Sequence, residues 1–382
     1  MAPRQSAWRS AQWAICTCKR VRPASILRLS LALAGALLGA QAFAAEHCRV
    51  AFDIGSSGIR AGASDSALTT RAEIDYLGAL STGDGLAAAL PATIAALREL
   101  PQQGGFSPEC IRVGAGFSAW RLALQHDGER LATQLADVKA ASGVAVLVVP
   151  QNAEGAYGHF TARQALGDRL RTSHVLDIGG GSLQIAGEHS SFGAALGQKI
   201  WQRELCLAIR QTASPTCALQ PMSDDELAAA RALLAGKLGG VGTALPQPVT
   251  MTAISRPLTV GVWPALKRLR GQADEPPRLE RAALSAAIEE LAGLTLAQTT
   301  TRLGFAEKYA AYLLSDMLLA EGLMRATGGD ELFIADVDLS NVPGLLADDR
   351  AFAWAANYGC YLDRLRRLGI DAYASDPASC ER

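Results

Sequence analysis

The sequence predicts an α/β protein of two domains, each a mixed sheet flanked by helices, with a cleft between them. Three observations carry this expectation. Short apolar runs alternate with helical stretches in the first half, which implies a partly parallel sheet covered by helices. The pattern restarts near residue 173, after a break at 163–172. Each half also holds a strand that ends in aspartate and runs into a glycine-rich turn. The first reads Val50-Ala51-Phe52-Asp53-Ile54-Gly55-Ser56-Ser57-Gly58, and the second Val175-Leu176-Asp177-Ile178-Gly179-Gly180-Gly181-Ser182. One such turn is ordinary. A pair suggests a duplicated unit that grips one phosphate-bearing ligand from both sides.

The elements follow in order. Apolar runs predict strands over 48–54, 59–64, 71–78, 111–115 and 144–149. Helices are expected over 85–99 and 128–141. The second half opens with strands at 173–178 and 183–187. It then turns more helical, over 224–237, 279–292 and 304–326, before a strand at 331–336. Gly239-Gly240-Val241-Gly242 reads as a loop, and Pro276-Pro277 breaks the chain before a helix. Residues 349–368 read as one amphipathic helix ending at Gly369. The expected organisation is a leader over 1–44, domains over 45–165 and 166–345, and a helix and tail over 346–382.

The leader expectation rests on charge and hydropathy. Arg4, Arg9, Lys19, Arg20, Arg22 and Arg28 precede or open an apolar run, Leu29 to Ala40, and Ala42-Phe43-Ala44 offers a small-x-small cleavage site. This is the pattern of a secretory signal peptide. The run is short for a membrane span, so no stable insertion is expected after cleavage. Removing those six cations from the 36 Lys and Arg leaves 30 against 37 Asp and Glu, a net charge near −7. Such a surface does not favour nonspecific nucleic-acid binding. Six cysteines remain, and an even count in an exported chain favours disulfides. Chain order suggests Cys206–Cys217 and Cys360–Cys380 as local loops. Cys48 and Cys110 precede two strands and would bridge if those strands are parallel neighbours; buried free thiols are the alternative. Export implies a periplasmic location.

Glycine leaves room for a phosphate to approach the backbone, and successive N–H groups in such a turn form an anion-binding concavity. Gly55, Ser56 and Ser57 are therefore candidate phosphate binders in the first turn, and Gly179, Gly180, Gly181 and Ser182 in the second. Asp53 and Asp177 are placed to hold a hydrated Mg2+. Arg121, in Ser118-Ala119-Trp120-Arg121, follows a strand and offers a rigid fork for a terminal phosphate. Glu154 follows the strand 144–149 by one short loop and would take a proton from an attacking water. His159 and His174, and the basic cluster Lys267, Arg268 and Arg270, are weaker candidates. Gly114-Ala115-Gly116-Phe117-Ser118-Ala119 matches a dinucleotide fingerprint, but the next strand lacks the acid that fingerprint needs.

Taken together, these motifs resemble the exopolyphosphatase / guanosine pentaphosphate phosphohydrolase family, within the actin–hexokinase–Hsp70 fold superfamily. Asp53-Ile54-Gly55-Ser56-Ser57 resembles the family's first loop, Ser118 to Arg121 its S-A-x-R motif, and Asp177 to Ser182 its D-I-G-G-G-S loop. Glu154 falls where the family carries its catalytic glutamate. The resemblance spans about residues 48–345 and implies two actin-like (ribonuclease H-like) domains, Mg2+, and release of terminal phosphate from inorganic polyphosphate or a phosphorylated nucleotide. Some positions depart from the family pattern. Ser57 replaces an asparagine, Gln151-Asn152-Ala153 an acidic lead-in, and Gln184 a glutamate near the metal. Asp336 to Ser340 only loosely resembles a late family motif. These departures leave a second reading open: a binding protein of the same fold that holds a phosphorylated ligand without cleaving it. A third, an ATP-using kinase, fits poorly with export. A homodimer is left open.

Overall fold

β1 (Arg49–Ile54), β2 (Gly58–Ala63), β3 (Thr69–Glu73), β4 (Ile111–Gly116) and β5 (Ala145–Val148) form one sheet in the order β3-β2-β1-β4-β5. The computed structural model describes residues 48–214, 217–271, 277–335, 337 and 339–380; the leader read over 1–44 lies outside the described residues. β6 (His174–Ile178), β7 (Leu183–Gly187), β8 (Ser191–Ala194), β9 (Met251–Ala253), β10 (Arg278–Glu280) and β11 (Glu331–Ile334) form the second sheet, in the order β10-β11-β9-β6-β7-β8.

The two sheets repeat one plan. In the first, β1 pairs antiparallel with β2 and β2 with β3, while β4 and then β5 add in parallel on the other side. In the second, β6, β7 and β8 form the same double hairpin, and β9 and then β11 add in parallel. β10 is an extra antiparallel edge. Asp53 and Asp177 thus occupy equivalent places, near the ends of the strands that lead each repeat. The strands read as continuous apolar runs because helices cover both faces; all four residues of β5 are buried.

Among the described residues two large hydrophobic cores result, with a small third cluster of Ala162, Val175, Ile254 and Ala335. The second is built from β6 to β11 and the helices between them. The first takes in β1 to β5 and also Val342, Leu345, Phe352, Trp354, Tyr358 and Tyr361. The C-terminal helices therefore return to the first lobe. There Tyr361 Oη accepts the Val148 N–H at 2.7 Å and Tyr358 Oη donates to the Val146 carbonyl at 2.9 Å, covering the edge of β5. Cys48–Cys110, Cys206–Cys217 and Cys360–Cys380 are paired, with Cα separations of 4.6, 5.7 and 6.0 Å. The first pair joins the starts of the parallel neighbours β1 and β4. Among the described residues no helix is long and apolar enough to cross a membrane.

Several expected elements differ. The strand expected over 71–78 ends at Glu73, and Tyr76–Leu80 is a helix. The reason is tertiary: the Ile74 and Tyr76 N–H groups donate to the carbonyls of Ser57 and Ser56, which turns the chain under the first glycine turn. The helix expected over 349–368 is two, Asp349–Ala356 and Tyr358–Leu368, divided at Asn357. Part of the expected loop at 239–242 enters a short helix, Val241–Ala244. β8, β9 and β10 are too short for a periodic signal and went unread.

Candidate functional site

The two glycine turns meet. In the first, Gly55 N–H donates to the Gly58 carbonyl at 3.0 Å, closing a tight reversal between β1 and β2. Gly58 has φ +153°, and a Cβ there would lie 2.2 Å from the Ala72 carbonyl oxygen, so the position needs glycine. In the second turn, a Cβ on Gly180 would lie 3.1 Å from Ser56 Cβ and one on Gly181 2.2 Å from Ser118 Oγ. The missing side chains let the lobes touch here.

Glu154 stands beside this junction, in the first turn of helix Gln151–Leu166. Its Oε2 lies 2.7 Å from Arg121 Nη2 and accepts the Gln184 side-chain N–H at 2.9 Å. Arg121 also donates to Ser182 Oγ at 3.0 Å and to the Val149 carbonyl at 2.9 Å. Gln184 Nε2 donates to Ser182 Oγ at 3.1 Å, and Ser56 Oγ to Ser118 Oγ at 3.3 Å. All of these side chains are buried. Burial pushes the Glu154 carboxyl above its ordinary range, and the Arg121 guanidinium pulls it back.

The helix carrying Glu154 packs against β7 through Gly155, where a Cβ would lie 3.0 Å from that of Ala186. That close approach brings Glu154 up to Gln184. Asp53 faces Arg60 in the β1–β2 register, and Asp177 faces Gln184 in the β6–β7 register. Asp53 Oδ2 accepts the Asn341 N–H at 3.0 Å. Burial raises the Asp53 carboxyl, opposed by the Asn341 N–H and Arg60. Asp177 is pushed up to about 7 by burial and then by the charges of Glu154 and Asp53, against Arg60. Asp53, Ser56, Ser57, Arg60 and Gly180 line a crevice of about 700 Å3. Asp177 and Gly179 line a neighbouring one of about 470 Å3 that shares Ser57, Arg60, Gly180 and Arg256.

A Mg2+ ion is tested here by the donor set. Asp53 and Asp177, each held above its ordinary range chiefly by burial, would be drawn back towards the charged form beside a divalent cation. Gln184 Oε1 is buried and has no hydrogen-bond partner. These residues fit Mg2+, which takes a few protein oxygens and keeps waters or phosphate oxygens for the rest.

No protein-family model matches the chain, and no curated protein matches it. Solved structures do. The Ppx/GppA phosphatase of Aquifex aeolicus superposes with a TM-score of 0.58 at 18% identity, over 78% of this chain and 98% of that one. An exopolyphosphatase from Cytophaga hutchinsonii gives a TM-score of 0.55 at 15% identity, over 78% and 96%. This chain has the Ppx/GppA fold.

Within the Ppx/GppA fold, Asp53, Gly55, Ser56, Ser57, Arg121, Glu154, Asp177, Gly179 to Ser182 and Gln184 lie at or beside the junction. His174 sits at the far end of β6 from Asp177, bonded to Ser173 and Ser190. Arg268 donates to the Leu303 carbonyl and stacks over Phe305 at 4.6 Å, and the basic cluster lines neither crevice. Gly114 and Gly116 lie inside β4, where a Cβ on Gly116 would lie 2.7 Å from Trp120; they serve packing, not a dinucleotide turn. Asp336 and Asp338 of the late motif fall outside the described residues. Sequence reading missed Arg60, Arg256, Asn341 and Lys199. Arg60 was recoverable, since a β1–β2 hairpin turning at Gly55–Gly58 must set it opposite Asp53. Arg256 and Asn341 come from distant segments and left no local signal.

Proposed function

We propose that this chain is a phosphoanhydride hydrolase that releases terminal phosphate from inorganic polyphosphate, with a phosphorylated nucleotide as the other substrate class. The observation that carries the reading is Glu154: a buried carboxylate at the meeting point of two glycine turns, one from each repeat, with Arg121 on its oxygen. The fold shared with Ppx/GppA phosphatases and exopolyphosphatases supports it, as does the motif order.

The turn N–H groups and Ser56, Ser57 and Ser182 would bind the terminal phosphate oxygens, and Arg121 would orient the end group. Mg2+, held by Asp53, Asp177 and the Gln184 oxygen, would supply neutralisation of phosphate charge. Glu154 would take one proton from a water as its oxygen bonds to the terminal phosphorus. The bridging P–O bond breaks, and that oxygen leaves on the shortened chain with the electron pair. Burial of the cluster excludes bulk water and raises the basicity of Glu154. The signal-peptide pattern supports a periplasmic place for this activity.

One observation favours the non-cleaving reading. Glu154 Oε2 already receives two donors, Arg121 and Gln184, and each lowers its basicity. Purified protein given polyphosphate and Mg2+ decides the matter. Phosphate release that Glu154→Gln abolishes supports the hydrolase. Tight polyphosphate binding with no release supports the binder.

A further inference from the structure

The crevice of about 700 Å3 beside Asp53 and Ser56, the front crevice, adjoins a further space of about 620 Å3. Asp75 and Lys199 line both. They form an ion pair at 3.0 Å, with one partner from each lobe. Each end is anchored beside a glycine turn. Ile74 and Tyr76, on either side of Asp75, donate their N–H groups to the Ser57 and Ser56 carbonyls. The Lys199 N–H donates to the Gly180 carbonyl at 2.8 Å. The pair therefore stands at a fixed place just outside the turns, where one space passes into the next. The Asp75 side chain is 63% exposed and that of Lys199 33%, so the pair is weak and another anion can replace the carboxylate.

The space beyond the pair is cationic. Arg130, on helix Gly128–Ser142 of the first lobe, and Arg203, on helix Gln198–Arg210 of the second, both line it. Arg130 is steadied by donating to the Asp84 carbonyl at 3.0 Å. Among the described residues that line this space, Asp75 is the only acid. Leu80, Leu122 and Ile200 also line it. Charges of one sign beside apolar walls are screened less by water and draw in the opposite charge. The crevice of about 470 Å3 on the other side offers a polyanion less, because it sets the Asp177 and Asp316 carboxyls among its cations.

We propose that this space is the subsite for the body of the polyphosphate chain, behind the end that is cleaved, and that the Asp75–Lys199 pair makes the site selective for chain length. The proposal rests on the hydrolase reading above. A short chain is held by the front crevice alone and leaves the pair closed. A longer chain passes the pair, puts a phosphate oxygen on Lys199 in place of Asp75, and gains Arg203 and Arg130 beyond it. Lys199 and Arg203 favour long chains, and Asp75 opposes them by competing for Lys199.

The test compares KM and kcat for tripolyphosphate and long-chain polyphosphate. Arg203→Ala should raise the long-chain KM about tenfold and leave the tripolyphosphate KM within about twofold, with kcat unchanged. Asp75→Asn should act in the opposite sense and lower the long-chain KM, a gain that a merely structural ion pair does not give. Unchanged long-chain constants in either folded variant, equal shifts for the two substrates, or a higher long-chain KM in Asp75→Asn overturns the proposal. If neither substrate is hydrolysed, the hydrolase reading itself has failed. Calorimetric binding of the same two chains then decides the subsite alone: long-chain binding weakened by Arg203→Ala and strengthened by Asp75→Asn supports it, and affinities unchanged in the variants overturn it.

Discussion

Replacing Glu154 by glutamine changes one atom and removes the only group proposed to take the water's proton. A positioned general base contributes roughly 100- to 10,000-fold, or about 3 to 5 kcal/mol of barrier. The structure indicates how far the fold is also disturbed. Removing one partner of a buried ion pair costs about 3–5 kcal/mol when the other charge is stranded. Arg121 is not stranded: it keeps the Val149 carbonyl at 2.9 Å and Ser182 Oγ at 3.0 Å, and the glutamine oxygen still accepts from it. Burial already penalises the native carboxylate. The expected stability loss is therefore nearer 1–3 kcal/mol, which leaves the variant folded at room temperature. The assay pairs phosphate release from polyphosphate with equilibrium binding of the same chain. Release should fall at least about 100-fold with binding retained. Release within about threefold of wild type, binding unchanged, would refute the assignment of Glu154 as the base.

Three further substitutions probe the frame around it. Gly181→Ala places a methyl 2.2 Å from Ser118 Oγ and 3.3 Å from Leu77, so it should cost about 1–3 kcal/mol in thermal melts and push the lobes apart; wild-type stability and activity would show slack in the turn. Gln184→Glu adds a carboxyl opposite Asp177 and against Glu154, so it should lower the melting temperature without divalent cation and recover it with Mg2+. An unchanged Mg2+ response would remove position 184 from the cation site. Asp316 accepts from Gln198 at 2.6 Å, and burial holds its carboxyl at about 8 against an ordinary 3.8. A raised acid stabilises the fold below its unfolded value, and that contribution is lost as pH climbs towards 8. At pH 7 the cost is on the order of 4 kcal/mol. Asp316→Asn should therefore melt above wild type at pH 7–8, with the gap narrowing as pH falls and closing only near the ordinary value of 3.8; parallel melting curves between pH 4 and 8 would contradict this.

Much of the frame was legible because it is local. An aspartate followed by glycine and serine at the end of an apolar run marks the turn, and the two copies mark the duplication that the two sheets repeat. Cys48 and Cys110 pair as parallel strands require. Strand β3 was overrun because nothing local tells residues 74–78 to turn; the Ser56 and Ser57 carbonyls do that. The break at Asn357 and the three-residue strands β9 and β10 carry too few residues for a period to show.

The sequence by itself determined the two glycine turns, the acids beside them, and Arg121 and Glu154 as the groups of interest, since each lies within a few residues of a strand end. Only the tertiary structure decided that Glu154 is locked between Arg121 and Gln184, that Asn341 caps Asp53 from nearly 290 positions away, and that the Asp75–Lys199 pair stands between two crevices. Those facts come from the packing of one lobe on the other. A burial that shifts a carboxyl's ionisation depends on what covers it, and the covering residues lie far away along the chain.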